Sequence, residues 1–304
     1  MEKNFIDCRQ TALTKSKLSL VYVDITQSAK ELERSHLCGP TAGLVQSDAL
    51  AAVALLGAEL NRKEEAITLR FRVSGPVAGL LVENTYNGGL RGYTHNKVLN
   101  ALDARDKISD EDALGELAQM TVVRSIPGKT ISSAMIDVHP ASISKGMHQY
   151  LNKSLQRKAE VVIAVASTVS GVTYAKAFMF ERMPDGDSKA FKKLSGGFKD
   201  GSTKQALIGA HSLEELCSML KIGDCKLNIP QSLRFKCRCS AERVESMVGG
   251  LPDADLKDMF KSSEITQIIC HMCGTGYNVG KELLWSILEK RGHDIEVGEH
   301  SDYD

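Results

Sequence analysis

The residues best suited to chemistry stand in the last quarter of the chain. Cys237-Arg238-Cys239 is followed, after thirty residues, by Cys270-His271-Met272-Cys273. Two close pairs on separate segments can aim four thiolates at one centre, and a closed tetrahedron of soft sulfur ligands is what structural zinc prefers. The spacing therefore predicts one Zn2+ per chain, held by Cys237, Cys239, Cys270 and Cys273. His271 is a possible substitute ligand, expected instead to face solvent.

The flanking residues say how the centre would be built. Ser240 suits the N-cap of a helix over 241–248, whose partial positive N-terminus favours thiolate nearby. Gly274 and Gly276 give the second pair a permissive backbone, so a tight knuckle can turn its amides toward sulfur between strands at 265–269 and 277–279. The segment after 230 is short and thin in core residues, so metal binding should supply much of its folding energy. Oxidising the thiolates would remove ligands and folding energy together, and the linker beside them would lose its support. That is a redox switch.

Weaker signals point nowhere. Gly128-Lys129-Thr130 resembles the end of a phosphate-binding loop, but Val123 stands where its first glycine belongs. No paired His, Cys and carboxylate outside the knuckle suggests a catalytic triad, so no enzyme is expected. Cys8, Cys38, Cys217 and Cys225 read as ordinary thiols, with Cys225, near the linker, able to react in an opened state.

Those cysteines need a scaffold, which the rest of the chain outlines. The 304 residues suit about two domains, and 42% hydrophobic content suffices for a core. Ser47-Asp48 reads as the cap of a buried helix over 49–60. Strands are predicted at 67–73, 77–83, 89–94, 120–125, 130–138, 161–168 and 171–180, with helices near 110–118 and 141–156. The stretch from 183 to about 202, rich in Lys, Gly, Ser and Asp, should pack poorly, and a short helix at 212–221 interrupts the linker. The fold class expected is α+β: an N-terminal mixed α/β domain with antiparallel sheets over 1–181, a helical linker over 182–229, and a small C-terminal zinc-binding domain over 230–304.

Charge and hydropathy narrow the setting. Thirty-eight Lys and Arg balance 38 Asp and Glu, which argues against a nucleic-acid partner. Charge-free stretches at 161–175 and 265–280 are too short to span a membrane, and the opening Met1-Glu2-Lys3 has charge where a signal peptide is apolar. A cytoplasmic location follows as the expectation, with cysteines kept reduced.

The residues also resemble a family. The Cys-x-Cys and Cys-x-x-Cys pairs, their surroundings Phe235-Lys236-Cys237-Arg238-Cys239-Ser240 and Ile268-Ile269-Cys270-His271-Met272-Cys273-Gly274, and upstream Gly75-Pro76 and Arg91-Gly92-Tyr93 are similar to the redox-regulated 33 kDa heat-shock protein family. The likeness covers most of the chain. It departs from the family pattern at His95-Asn96-Lys97 and over 174–180. The resemblance implies an ATP-independent holdase chaperone whose four cysteines hold zinc when reduced. On oxidation it implies Cys237–Cys239 and Cys270–Cys273 disulfides, zinc loss, linker unfolding, homodimer formation and capture of unfolding client proteins. Two rivals use the same cysteines: a constitutive zinc-ribbon module for a protein or RNA, and a thiol oxidoreductase, which would need a βαβ context.

Overall fold

In the computed structural model, residues 7–105, 107–262 and 265–292 are described; the charged opening residues 1–6 lie outside that set. The chain divides into two compact units at Cys237 and Arg238. Elements are numbered in chain order.

The first unit is built on two sheets. One runs β10 (Cys225–Leu227), β1 (Cys8–Thr14), β2 (Leu18–Asp24), β9 (Gly171–Arg182), β8 (Lys158–Thr168), all antiparallel, with β11 (Gln231–Ser232) also on β1. The other runs β12 (Arg234–Phe235), β5 (Gly89–Thr94), β4 (Leu80–Thr85), β3 (Ala66–Val73), β6 (Ala118–Ile126), β7 (Lys129–Val138). Only its β12–β5 pairing is parallel. Gly128, at φ +74°, makes the turn between β6 and β7, so the Gly-Lys-Thr stretch is a hairpin bend.

The helices of this unit are α1 (Thr26–His36), α2 (Pro40–Leu56), α3 (Asn100–Asp103), α4 (Asp110–Leu114), α5 (Ile143–Gln149), α6 (Ser188–Lys199), α7 (Ser202–Gly209) and α8 (Leu213–Met219). Helix α2, with the turn after it, is long and apolar enough by composition to cross a membrane, yet it is the core helix here, buried along Ala49–Leu56. Its half over Ala49–Leu56 is apolar all round and so has no face to give to water.

The first sheet is buried on both faces, because successive side chains of a strand point to opposite sides. Val21, Val23, Val161, Ile163, Ala177 and Met179 join the core around α2, while Leu20, Tyr22, Val162, Ala164, Phe178 and Phe180 face α6, α7 and α8. That second face is covered by Leu194, Leu207, Leu213 and Leu216.

One expectation needs correction. Helix α2 begins at Pro40, not near Ser47: proline at the first helical position needs no amide partner, and the Asp103 carboxylate accepts from Thr41 N at 2.9 Å. Ser47 and Asp48 lie inside that helix. The 183–202 stretch is as thinly packed as expected, Leu194 being its one buried side chain, yet it is helical: Asp187 caps α6 through Lys189 N. Strands β1, with its polar Arg9, Gln10, Thr11 and Thr14, and the more apolar β2 lie outside the expected set.

The second unit holds α9 (Ala241–Val248), α10 (Asp253–Lys261), the hairpin β13 (Thr266–Ile269) and β14 (Gly276–Val279), and α11 (Lys281–Lys290). Among its described residues the fully buried apolar set is Val248, Leu256, Val279, Leu284 and Leu288. Five such side chains make a thin core.

Candidate metal centre

Each cysteine is delivered by an element the local sequence builds. Leu233 is buried, and Arg234 N and Lys236 N donate to Gly88 O and Leu90 O at 3.0 and 2.9 Å, so β12 lies along β5 and sets where Cys237 stands. Cys239 immediately precedes α9, whose N-cap Ser240 accepts from Arg243 N at 3.3 Å, the predicted cap. The hairpin presents the other two: Cys270 O accepts from Gly274 N at 2.8 Å, Cys270 N donates to Thr275 O at 2.9 Å, and Gly274 takes φ +73°. A residue with a Cβ would be strained there, which is why the knuckle turns on glycine.

The four sulfurs converge. Their Sγ atoms all lie within 4.8 Å of one another, and Cys239 and Cys273 approach to 3.4 Å. A tetrahedron with metal–sulfur bonds of about 2.3 Å has sulfurs about 3.8 Å apart, so this set can hold a metal ion. The donors are all thiols, the soft chemistry zinc accepts. His271 is exposed and outside the cluster.

Three residues that the motif did not point to support the sulfurs. The Tyr277 hydroxyl donates to Cys239 Sγ at 3.0 Å, and that contact pushes the phenol up to about 12, so it stays a donor at neutral pH. Thr275 Oγ1 lies 3.2 Å from Cys273 Sγ. Within the first unit, Arg91 Nη1 donates to Cys237 Sγ at 3.8 Å while Nε and Nη2 donate to the Glu83 carboxylate at 2.8 and 3.0 Å. A part-buried forked ion pair thus fixes a cation beside one sulfur. Strand alternation in β14 and the β4–β5 register could have found them, had the partner strands been known.

The remaining cysteines differ from expectation in one respect. Burial pushes the Cys8 and Cys38 thiols up to about 11, as suits inert side chains. Cys217 and Cys225, unpaired in sequence, bring their sulfurs to 3.3 Å.

Fold and site together define a class: an α+β protein of two sheets around a core helix, ending in a small module with four clustered cysteines. The chain belongs to the family described as Hsp33 protein, whose family model matches residues 7–280. Curated relatives include a "33 kDa chaperonin" of Thermoanaerobacter sp. (strain X514), 24% identical over 90% of this chain and 94% of its own length. Another of that name, from Cyanothece sp., is 27% identical over 89% and 92%. The crystal structure of a 33 kDa chaperonin (heat shock protein 33 homolog) from Thermotoga maritima superposes with a TM-score of 0.83 over 96% of this chain and 100% of that one; at 21% identity this likeness speaks to the fold.

Proposed function

We propose that this protein is a redox-regulated, ATP-independent holdase chaperone of the cytoplasm, with a zinc ion on Cys237, Cys239, Cys270 and Cys273 in its reduced, inactive state. The observation that carries the reading is the convergence of four thiols from Cys-x-Cys and Cys-x-x-Cys in a member of this family. Bound zinc would supply a charge that keeps four thiolates together and folding energy on the order of 10 kcal/mol, which the thin second core lacks.

The switch is a loss of donors. Cys237 with Cys239, and Cys270 with Cys273, each give two electrons to a hydroperoxide or to hypochlorous acid; one S–S bond forms per pair, and the oxidant leaves as water with alcohol or chloride. Disulfide sulfurs no longer hold the ion. The second unit then loses its support, and the unfolding pulls on the backbone that leads through β12, β11 and β10 to α8. Residues 182–229 act as the metastable linker between a client-binding domain over 1–181 and a switch domain over 230–304. When α6, α7 and α8 leave, the face made by Leu20, Tyr22, Val162, Phe178 and Phe180 opens to unfolding clients. Such an exposed face also favours a homodimer of the oxidised form.

The test is thermal aggregation of a client protein with reduced and oxidised chains, released zinc being measured in the same samples. Suppression only after oxidation, with about one zinc lost per chain, is expected. A chain that keeps its zinc and binds its target in either state would instead be a constitutive zinc-ribbon module.

A further inference from the structure

Two cysteines outside the metal centre face each other at the end of the linker helices. Cys217 is buried on α8, and Cys225 opens β10 with its sulfur 3.3 Å away. Both ends of this contact are anchored. Ile222 N donates to Cys217 O at 2.8 Å and Lys221 N to Ser218 O at 3.1 Å, with Lys221 and Asp224 at φ +54° and +52°, so the chain doubles back. Cys225 then stands opposite Thr14 in the antiparallel pairing of β10 with β1. Nothing but rotation and slight approach separates two thiols held this way from a bond of about 2.05 Å.

Their surroundings assign them different parts. Burial, and then the neighbouring Cys225, pushes Cys217 up to about 12, so it is a protonated thiol inside the apolar cluster. Cys225 is half-buried and lines a shallow cleft with Leu13, Thr14, Lys15, Asp224 and Lys226, which gives a small polar oxidant access.

We propose that Cys217 and Cys225 form a second dithiol–disulfide pair, oxidised by hydroperoxides independently of the four-cysteine centre. The Cys225 sulfur, its proton lost to solvent, attacks the peroxide O–O bond and becomes a sulfenic acid, while the oxidant leaves as alcohol or water. Cys217 then displaces that hydroxyl: the S–OH bond breaks, S–S forms, and the Cys217 proton leaves with hydroxide as water. The pair has lost two electrons and two protons, all accounted for by the reduced peroxide. No metal ligand is consumed. The disulfide closes residues 217–225 into a loop and ties the end of α8 to the strand on β1. It is therefore a staple at one end of the linker, whatever the state of the other end.

Peptide mapping reads this directly. The zinc-loaded, reduced full chain is treated with hydrogen peroxide until the exposed Met135 is converted to its sulfoxide, then alkylated and digested with trypsin without reductant. Cleavage after Lys221 separates the two cysteines, so the disulfide joins peptides 205–221 and 222–226 at a mass two hydrogens below their sum, with one further oxygen where the exposed Met219 is also a sulfoxide. More than half of the 222–226 peptide should appear in that species, and Cys217→Ser should abolish it and leave Cys225 alkylated or over-oxidised. Recovery of both peptides as alkylated thiols at that dose overturns the proposal, as does a bond from Cys225 to any other cysteine. Zinc measured in the same samples reports on the four-cysteine reading separately.

Discussion

At the residue scale, the side chains around the sulfurs tune them. The Tyr277 hydroxyl is a donor to Cys239 that any change to phenylalanine deletes while keeping the ring. Outer donors of this kind typically contribute 10–100-fold in metal affinity, so Tyr277→Phe should weaken zinc binding about tenfold in competition with a chelator. An unchanged affinity would remove the hydroxyl from the account. A second residue, far from sulfur, sets a pH dependence. Asp7 accepts from Gln27 N and Ser28 N, yet burial raises its carboxyl from 3.8 to about 6. The folded chain thus holds this proton more tightly than the unfolded one. The stabilisation is complete below about pH 4 and is lost as pH rises through 6. Against Asp7→Asn, which has no such titration, wild type should lose about 2 kcal/mol between pH 4.5 and 7.5 in urea unfolding.

At the scale of elements, the docking of α7 depends on a buried cation. Lys176, on β9, donates to Ile208 O and Ala210 O at 3.0 and 2.6 Å, just where the carbonyls at the end of α7 lack partners inside the helix. Tyr22 donates to Ala210 O as well. Burial lowers the Lys176 ammonium and the nearby Asp24 partly offsets this, so the charge costs something to keep there. Lys176→Met removes that cost but leaves Ile208 O without its donor, a net loosening of about 1–3 kcal/mol. Amide exchange should accelerate across 202–219 with little change in β3 and β4; uniform exchange would refute a local role. This lysine lies in the 174–180 stretch, and there it caps the end of a helix. The Ser240 cap was legible for the same reason that it is strong, since it acts on the helix that follows it directly; Ser109 with Asp112 and Ser212 cap theirs in the same way. Helix α2 was misread because its start is capped from a distance, by Asp103, rather than by a neighbour in sequence.

At the scale of the molecule, the first unit closes its own cores and its own sheets. A chain ending at residue 237 keeps every strand of both, so its sheets should fold; under the switch reading α6, α7 and α8 lose their hold once the second unit is gone, and the truncated chain should suppress client aggregation without oxidant. A folded truncation with no such activity would count against the second unit as an inhibitor. The second unit, with an apolar cluster of five buried side chains among its described residues, should in turn unfold when a chelator removes zinc, while the strands β1 to β9 stay folded.

The sequence by itself determined the four-cysteine cluster. Four cysteines at those two spacings, a serine cap and two glycines are local features, and their chemistry follows from residue type over a few bonds. It also indicated most strands of the two sheets, through alternation and turn residues. Only the tertiary structure decided what stands beside the sulfurs and what the linker covers. Arg91 reaches Cys237 because β12 lies along β5, 146 residues away in the chain, and Cys217 meets Cys225 because a strand at the sheet edge returns beside α8. Pairing between distant strands depends on which apolar faces find each other, and no local pattern encodes that choice.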